Sequence, residues 1–266
     1  MLHIDELKYP IGNGATNPIM GVAENKYYVV KTFNNIEGNK VLINELVSHY
    51  IAKKLELPIP KAQVCLVDKN TIIDKNVSDM EDFTEECYGI GFCSEYIEKS
   101  TVISSPKMIK LTNNYKWLIP KLMLFDHIVY NKDRNKGNLL LTTDKKEKKL
   151  MLIDHSHVFN LETIWDSITL KQKIEEKDYD DIHIMENNAY LYSMFKNACK
   201  TDLLTINENI NYFKKMLTID FLKKVIEYIP EVWENNIIEL ESLSEYLIYR
   251  FNNIDKYGDL ILTYKY

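Results

Sequence analysis

Residues 131–141, NKDRNKGNLLL, are the most informative part of the 266-residue chain. They place Asp133 five positions before Asn138, and an apolar run follows at once. A second apolar run, LMLIDHS at residues 150–156, contains Asp154. Short apolar runs on either side of a polar segment indicate a hairpin. The predicted order is therefore a loop, a strand pair and a second loop, which brings three oxygen-bearing side chains together.

These three side chains are the types that phosphoryl transfer from a magnesium-bound nucleotide requires. Such transfer needs an aspartate beside the attacking hydroxyl and oxygen ligands that hold the metal on the phosphates. In protein kinases the catalytic aspartate precedes a metal-binding asparagine by five positions, as Asp133 precedes Asn138. A loop rich in Asn, Asp and Gly is also typical of an ordinary turn. The second acid, Asp154, at the end of an adjacent apolar strand favours the functional interpretation.

Composition limits the classes of function. The net charge of −6 and the isoelectric point near 5.6 argue against direct nucleic-acid binding, which needs a basic face. The first residues lack a basic region followed by an apolar stretch, and no apolar run is long enough to span a bilayer. We therefore expect a cytoplasmic protein of one large domain or two lobes, with neither nucleic acid nor membrane as a partner.

The first 97 residues are predicted to be strand-rich, with one main helix. β-Branched and aromatic residues predict strands at 11–16, 18–23, 27–33, 62–67 and 89–97. Apolar residues at helical spacing predict a helix at 39–55, which prolines then end. Further stripes predict a helix that contains Leu118, Leu122, Phe125 and Val129, and later helices at about 186–200, 206–217, 219–229 and 237–253.

A glycine-containing turn between the first two predicted strands is a candidate phosphate-binding turn. Glycines let backbone amides approach phosphate oxygens closely. A hairpin corner with two glycines is common, so the turn alone is also consistent with a purely structural role. The candidate residues are Gly12, Gly14, Ala15 and Thr16.

Lys31 and Glu45 are a candidate pair for nucleotide binding. A lysine on the third predicted strand can reach the α and β phosphates as a point charge, and the alternative is an outward-facing lysine. Glu45 lies near the apolar stripe of the main helix, where a carboxylate needs a cation partner, so Lys31 is the expected partner. The alternative for Glu45 is a solvated position on the helix surface. Further along, Glu95, Tyr96 and Ile97 are the candidate hinge that contacts an adenine ring, unless they form a plain edge strand.

The chain resembles the HipA-like kinases, a bacterial branch of the protein-kinase-like fold that is also similar to the phosphatidylinositol kinases. The resemblance rests on Phe125-Asp126, the loop at 131–138 and Ile153-Asp154-His155. It covers most of residues 10–160, and the helical remainder matches only in general character.

The resemblance implies both a fold and a set of roles. The fold is α+β and bilobal, with a small antiparallel sheet and one main helix in an N-lobe at 1–97 and a mostly helical C-lobe at 98–266. ATP and Mg²⁺ are the implied cofactors. Asp133 is implied as the catalytic base, with Asn138 and Asp154 as the metal ligands.

Other implied roles concern the nucleotide and the acceptor. The resemblance makes Lys31 the nucleotide lysine and Gly14-Ala15 part of the phosphate loop, and it implies a serine or threonine of a protein substrate as the acceptor. Arg134 is expected to steady Asp133 or a phosphate, and a structural salt bridge is the alternative. Ser156 stands where many members of the family have glycine.

Two other classes of function stay open. A small-molecule or lipid kinase would use the same three acceptors, and the Asp-Arg start of the loop also occurs in phosphoinositide kinases. A nucleotide-binding pseudokinase is favoured by Ser156, whereas the intact Asp133, Asn138 and Asp154 argue against it. Transfer of AMP instead of phosphate is a third alternative.

Overall fold

The computed structural model describes residues 1–12, 14–143 and 147–265. Asn13 of the predicted phosphate turn and residues 144–146 of the predicted hairpin tip lie outside the described residues. The strands are β1 (Leu2–His3), β2 (Glu6–Pro10), β3 (Ile19–Ala23), β4 (Lys26–Lys31), β5 (Ala62–Val67), β6 (Ile72–Ile73), β7 (Gly89–Glu95), β8 (Ser100–Val102), β9 (Leu139–Thr142) and β10 (Leu150–Leu152). The α-helices are α1 (Lys40–Lys54), α2 (Lys75–Ser78), α3 (Pro106–Lys110), α4 (Tyr115–Ile128), α5 (Ser167–Glu175), α6 (His183–Asn187), α7 (Ala189–Ala198), α8 (Leu203–Met216), α9 (Ile219–Lys224), α10 (Ile237–Asn252) and α11 (Ile254–Thr263).

The first sheet has the strand order β1-β5-β7-β4-β3-β2-β6. Its central neighbours pair antiparallel, whereas the edge strands β1 and β6 pair parallel with β5 and β2. The tight connection between β3 and β4 places Glu24 and Asn25 at φ 49° and 59°. Two consecutive residues with positive φ suit the twist of a two-residue hairpin. The predicted strands at 18–23, 27–33, 62–67 and 89–97 are therefore present with small changes of their ends.

The strand predicted at 11–16 is wrong. The nearest strand is β2, which ends at Pro10, and residues 11, 12 and 14–16 lie outside any strand. The Ile11 amide donates to the carbonyl oxygen of Pro18 at 2.7 Å, and the Asn17 amide donates to that of Gly14 at 3.0 Å. Proline has no amide proton to extend a ladder, so the strand ends before the glycine turn rather than running through it.

The second sheet consists of β10, β9 and β8 in that order, all antiparallel. Its β9–β10 pair is the hairpin predicted between the two polar loops. The chain leaves the first sheet after Glu95 and enters the second at Ser100. The division into lobes at residue 97 stays a prediction.

Helix α1 is buried on most of its circumference. The larger of two apolar clusters joins α1 residues such as Leu42 and Leu46 to the helices that follow β8. A smaller cluster lies on the first sheet, with residues from both its central and its outer strands. The Tyr50 ring of α1 stacks on the Tyr228 ring, with 4.2 Å between centroids. Because α1 is packed from both sides, its polar side chains have fixed positions at the boundary between the two sheets.

The apolar stripe predicted for the helix before the loop at 131–138 is buried, and it lies on α4 and the residue that follows it. Leu118, Leu122, Phe125 and Val129 all have 0% of their surface exposed. In residues 1–12, 14–143 and 147–265, no helix has both the length and the apolar character needed to cross a membrane.

Candidate active site

A cavity of about 930 Å³ lies where the first sheet, helix α1 and the second sheet meet. Its floor comes from the β9–β10 hairpin and the two polar loops around it. Its walls contain every predicted site residue except Arg134, namely Gly12, Gly14, Ala15, Thr16, Lys31, Glu45, Glu95, Tyr96, Ile97, Asp133, Asn138 and Asp154. Residues more than a hundred positions apart in sequence therefore face one space.

The predicted phosphate turn borders this cavity. A Cβ atom added at Gly12 would meet no atom within 4 Å, so the space beside this glycine is open. The turn is tethered at its far end, because the buried Thr16 accepts a hydrogen bond on its carbonyl oxygen from the Asn35 side chain at 2.8 Å. An open backbone held at one end fits a group as large as a phosphate.

Four side chains form what we call the cleft network: Lys31, Glu45, Asp154 and Ser156. The Lys31 ammonium donates to the Glu45 carboxylate, to Asp154 Oδ1 at 3.0 Å and to Ser156 Oγ at 2.5 Å. The predicted contact between Lys31 and Glu45 is thus present. Glu45 and Lys31 have side chains only 6% exposed, whereas the Asp154 side chain is 35% exposed toward the cavity.

Burial and charge act against each other in this network. Burial alone would lower the pKa of Lys31, but the Asp154 and Glu45 carboxylates outweigh it and raise that pKa above its usual value. Burial favours a raised pKa for Asp154, yet the Lys31 charge and the Ser156 hydrogen bond hold that pKa well below its usual range. Burial raises the pKa of Glu45 despite the nearby Lys31. Asp154 is therefore a carboxylate at neutral pH and is available as an anionic ligand.

The loop that carries Asp154 is held by helix α1. Asp154 has φ 57°, a left-handed conformation that costs a non-glycine residue of the order of 1 kcal/mol or more. The Asn44 amide of α1 donates to the carbonyl oxygens of Ser156 at 2.5 Å and Glu162 at 2.7 Å, and its oxygen accepts from Trp165 Nε1 at 2.9 Å. One helix therefore fixes both the backbone of this loop, through Asn44, and its side chains, through Glu45.

The loop before β9 orients Asp133 toward the cavity. Asn138 Nδ2 donates to the Asp133 carbonyl oxygen at 2.7 Å and to Oδ2 at 3.2 Å. Asn135 Nδ2 donates to Oδ1 at 3.0 Å, and the Asp133 amide donates to Asn131 Oδ1 at 2.9 Å. The carboxylate is thus oriented by two side-chain amides and remains 47% exposed.

Asn138 and Asp154 form a donor set that fits magnesium. Because the amide nitrogen of Asn138 is committed to Asp133, its oxygen is left as a ligand. Magnesium is usually held by one or two carboxylates together with waters and phosphate oxygens rather than by a complete protein cage. The described residues contain no group of three His, Cys, Asp or Glu side chains placed to hold a metal.

The catalytic assignment of Arg134 is corrected by its contacts. Arg134 is 1% exposed, does not line the cavity and binds the Asp126 carboxylate, with 2.9 Å between Nη2 and Oδ1. Burial lowers the pKa of Arg134, but the Asp126 carboxylate raises it above its usual value. Its Nη1 also donates to the carbonyl oxygens of Asn138 at 3.0 Å and Ile153 at 3.2 Å. We call Arg134 and Asp126 the sealed pair. Through Arg134, this pair connects the loop at 131–138 to the backbone just before Asp154.

The predicted hinge has one available amide. The Glu95 amide donates to the Lys61 carbonyl oxygen at 2.8 Å, and the Tyr96 amide donates to that of Tyr27 at 2.9 Å. The Ile97 amide has no hydrogen-bond partner among the described residues. Of the three hinge residues, which all line the cavity, Ile97 is thus the one whose backbone amide is not used by another described residue.

Sequence reasoning missed a contact at the cavity edge and the role of Asn44. His157 Nε2 lies 2.7 Å from Glu37 Oε2, and its Nδ1 lies 4.0 Å from Asp133 Oδ2. Both contacts join residues far apart in the chain, so no local sequence pattern predicts them. Asn44 offered one signal, because a polar side chain inside an apolar helical stretch needs hydrogen-bond partners when buried.

Comparison with known proteins finds a matching family and a similar solved structure. A model of the HipA-like kinase family matches residues 4–254 of the chain. The structure is similar to that of the Helicobacter pylori proinflammatory kinase CtkA, with a TM-score of 0.58 and 14% identity over 96% of this chain and 97% of that chain. This likeness confirms the predicted α+β, kinase-like fold.

A weaker likeness involves a toxin–antitoxin complex. A chain of the Shewanella oneidensis MR-1 complex of HipA, HipB and operator DNA aligns with a TM-score of 0.41 and 9% identity, over 97% of this chain and 68% of that chain. Comparison with curated proteins found no match. The family match spans nearly the whole sequence and confirms the predicted resemblance. The chain belongs to the HipA-like kinase family.

Proposed function

We propose that the protein is a kinase that uses ATP and magnesium to transfer the γ-phosphoryl group to a serine or threonine hydroxyl of a protein. The observation that carries this proposal is the convergence of a cation, a base and two metal-ligand side chains on one cavity. These residues are Lys31, Asp133, Asn138 and Asp154. A cytoplasmic location, with neither nucleic acid nor membrane as a direct partner, is part of the proposal.

The nucleotide-binding part of the proposal assigns separate residues to base and phosphates. The Ile97 amide donates to the adenine, and apolar side chains such as Phe92 and Leu152 line the cavity. Lys31 and the backbone of the Gly12 to Thr16 turn bind the phosphates. Glu45 keeps the Lys31 ammonium aimed into the cavity, since the two are in contact.

Asn138 and Asp154 would hold the metal ion, and a bound Mg²⁺ neutralises charge on the phosphates. Asp133 orients the incoming hydroxyl and accepts its proton. The amides of Asn135 and Asn138 hold the Asp133 carboxylate in one orientation and so reduce the cost of ordering it at the moment of transfer.

The test is incubation with γ-labelled ATP and MgCl₂, in the presence of a protein extract, a lipid extract and a small-molecule fraction kept separate. Asp133→Asn and Asp154→Asn keep the size of each side chain and remove its charge. We expect each to lower the labelling rate by about 10²–10⁴-fold. The matched control is Asp259→Asn, the same change at an exposed position on α11 outside the cavity, which should label at the wild-type rate.

The outcomes separate the alternatives. Equal labelling by the wild type, Asp133→Asn and Asp154→Asn would refute the assignment of the site. Label confined to the lipid or small-molecule fraction would move the acceptor to that class. ATP binding by the wild type without any transfer would identify a pseudokinase.

A further inference from the structure

The Ser156 hydroxyl lies at the centre of the cleft network. Ser156 is 1% exposed, and its Oγ lies 2.5 Å from Lys31 Nζ, 2.8 Å from Asp154 Oδ1 and 3.1 Å from Glu45 Oε1. Ser156 is not among the residues with positive φ, so its backbone does not require the glycine that many family members have there. The effect of having serine here thus comes from its hydroxyl group.

Counting hydrogen atoms shows that the network is saturated. An ammonium group has three donors, and Lys31 uses them on Glu45, Asp154 and Ser156. A hydroxyl has one donor, so Ser156 can serve Asp154 or Glu45 at one time but not both. Lys31 therefore needs to release one of its three acceptors before it can donate to a phosphate oxygen.

The two carboxylates differ in what release would cost. Asp154 is 35% exposed toward the cavity and can turn to a cation or to water. Glu45 is buried, and burial already raises its pKa. A buried carboxylate that loses a donor is strongly disfavoured. Within the part of the chain that the structure describes, Ser156 is the other side-chain donor within hydrogen-bond distance of Glu45, whereas His155 Nδ1 lies 4.0 Å from Glu45 Oε2.

We propose that Ser156 is a positioning residue that exchanges one hydrogen bond when magnesium and nucleotide bind. Its hydroxyl moves its donor from Asp154 to Glu45, so that Asp154 is free for the metal and Lys31 can share its protons with a phosphate. Glu45 then keeps a hydrogen-bond donor on Oε1 throughout. This inference rests on the proposed nucleotide-dependent function.

The exchange predicts a loss of affinity without the hydroxyl. A hydrogen bond to a charged group contributes about 1.5–3 kcal/mol, so Ser156→Ala should raise the Kd about 10-fold or more. The probe is the ATP analogue AMP-PNP with MgCl₂, titrated into the full chain by calorimetry. Ser156→Gly should weaken binding by the same factor, because the backbone needs no glycine at this position.

A double-mutant cycle identifies the partner of the hydroxyl. If Ser156 acts through Glu45, adding Ser156→Ala to Glu45→Gln should change the Kd by less than about 2-fold. The matched control is Ser48→Ala on α1, since the buried Ser48 hydroxyl has no hydrogen-bond partner among the described residues. This variant should bind like the wild type. Urea unfolding of each variant confirms that it is folded.

Three results would overturn the inference. One is wild-type affinity in Ser156→Ala. Another is wild-type affinity in Ser156→Gly alone, which would attribute the effect to the added methyl group. The third is an equal loss in the presence and absence of Glu45→Gln. If the wild type itself binds no AMP-PNP with magnesium, the proposed function is refuted. That result is distinct from the three above, because it is obtained without any variant.

Discussion

The cleft network and the sealed pair are two buried ionic clusters, and each includes residues of one polar loop: Asp154 and Ser156 in the cleft network, Arg134 in the sealed pair. In the sealed pair, Arg134 and Asp126 have 1% and 0% of their surface exposed. In the cleft network, Lys31 and Glu45 are almost as buried, but Asp154 opens onto a cavity of about 930 Å³. One cluster is closed on all sides, and the other has one open side.

This difference distinguishes an ion pair that is enclosed by protein from one that a ligand in the cavity can reach. Arg134 has its charge balanced and its other donors committed to backbone carbonyls, so it has no reason to change partner. Lys31 is balanced by two carboxylates, one of which can be taken by another cation. Burial and pairing alone do not distinguish the two clusters, whereas the open side toward the cavity makes the cleft network the candidate for ligand binding.

The largest expected effect comes from opening the sealed pair. Asp126→Ala leaves the Arg134 guanidinium buried without its counter-ion, so the free energy of unfolding should fall by about 3–5 kcal/mol. Urea denaturation measures it. Asp126→Ala combined with Arg134→Met should recover part of the loss, because the unpaired charge is then gone. A fall of less than about 1 kcal/mol would mean that the pair behaves like a surface salt bridge.

Removing the cation from the cleft network should act on activity more than on stability. Lys31→Met should lower the rate of phosphotransfer by about 10²–10³-fold, because a preorganised charge at the phosphates is lost. Its free energy of unfolding should fall by less than that of Asp126→Ala, since Glu45 can take up a proton and Asp154 is open to water. Measuring both quantities on one preparation makes the comparison direct. A fall in stability as large as that of Asp126→Ala would erase the distinction.

The free energy of unfolding at acid pH should depend on a third buried group, His127. Burial and the Arg250 charge lower the pKa of His127 from its usual 6.5 to about 3. The unfolded chain therefore binds a proton below pH 6.5 while the folded chain does not, so this contribution to stability is present above pH 6.5 and lost as pH falls toward 3. The loss is about 1.4 kcal/mol per pH unit, or about 2 kcal/mol between pH 6.5 and 5.

His127→Phe checks this assignment. The substitution keeps an aromatic ring against Tyr257, on which His127 stacks at 5.0 Å between centroids. The slope of unfolding free energy against pH should decrease by one proton relative to the wild type. An unchanged slope between pH 5 and 6.5 would assign the acid sensitivity to other groups, such as His49, whose pKa burial and Lys53 lower to about 4.

The smallest expected effect lies at the cavity edge. Glu37 and His157 are in contact but have side chains 26% and 20% exposed. A partly exposed pair contributes about 0–1 kcal/mol, so Glu37→Gln should change the phosphotransfer rate by no more than about 5-fold and leave the unfolding midpoint almost unchanged. Steady-state kinetics with varied ATP measures this. A 100-fold loss would show that the edge contact belongs to the reaction centre itself.

The site was readable from sequence where the signal is local. Asp133 and Asn138 share one loop, and the β9–β10 hairpin that presents Asp154 follows from two apolar runs. The predicted helix at 39–55 became α1, within a residue at each end, because its apolar spacing and the following prolines are local too.

The features that could not be predicted depend on the tertiary structure. Arg134 and Asp133 are neighbours in sequence, and only the packing of α4 shows that one side chain is sealed while the other faces the cavity. The partners of Asn44 are more than a hundred positions away. Strands as short as β1 and β8 form because a neighbouring strand pairs with them. A sequence pattern of two or three residues cannot predict such pairing.

The packing of α1 ties the position of Glu45 to elements that come late in the chain. Because this helix is packed against C-terminal elements, as in the stacking of Tyr50 on Tyr228, folding by itself brings Glu45 to Lys31. The helix is docked by contacts within the chain, so a substitution that loosened this packing would also move Glu45 away from Lys31.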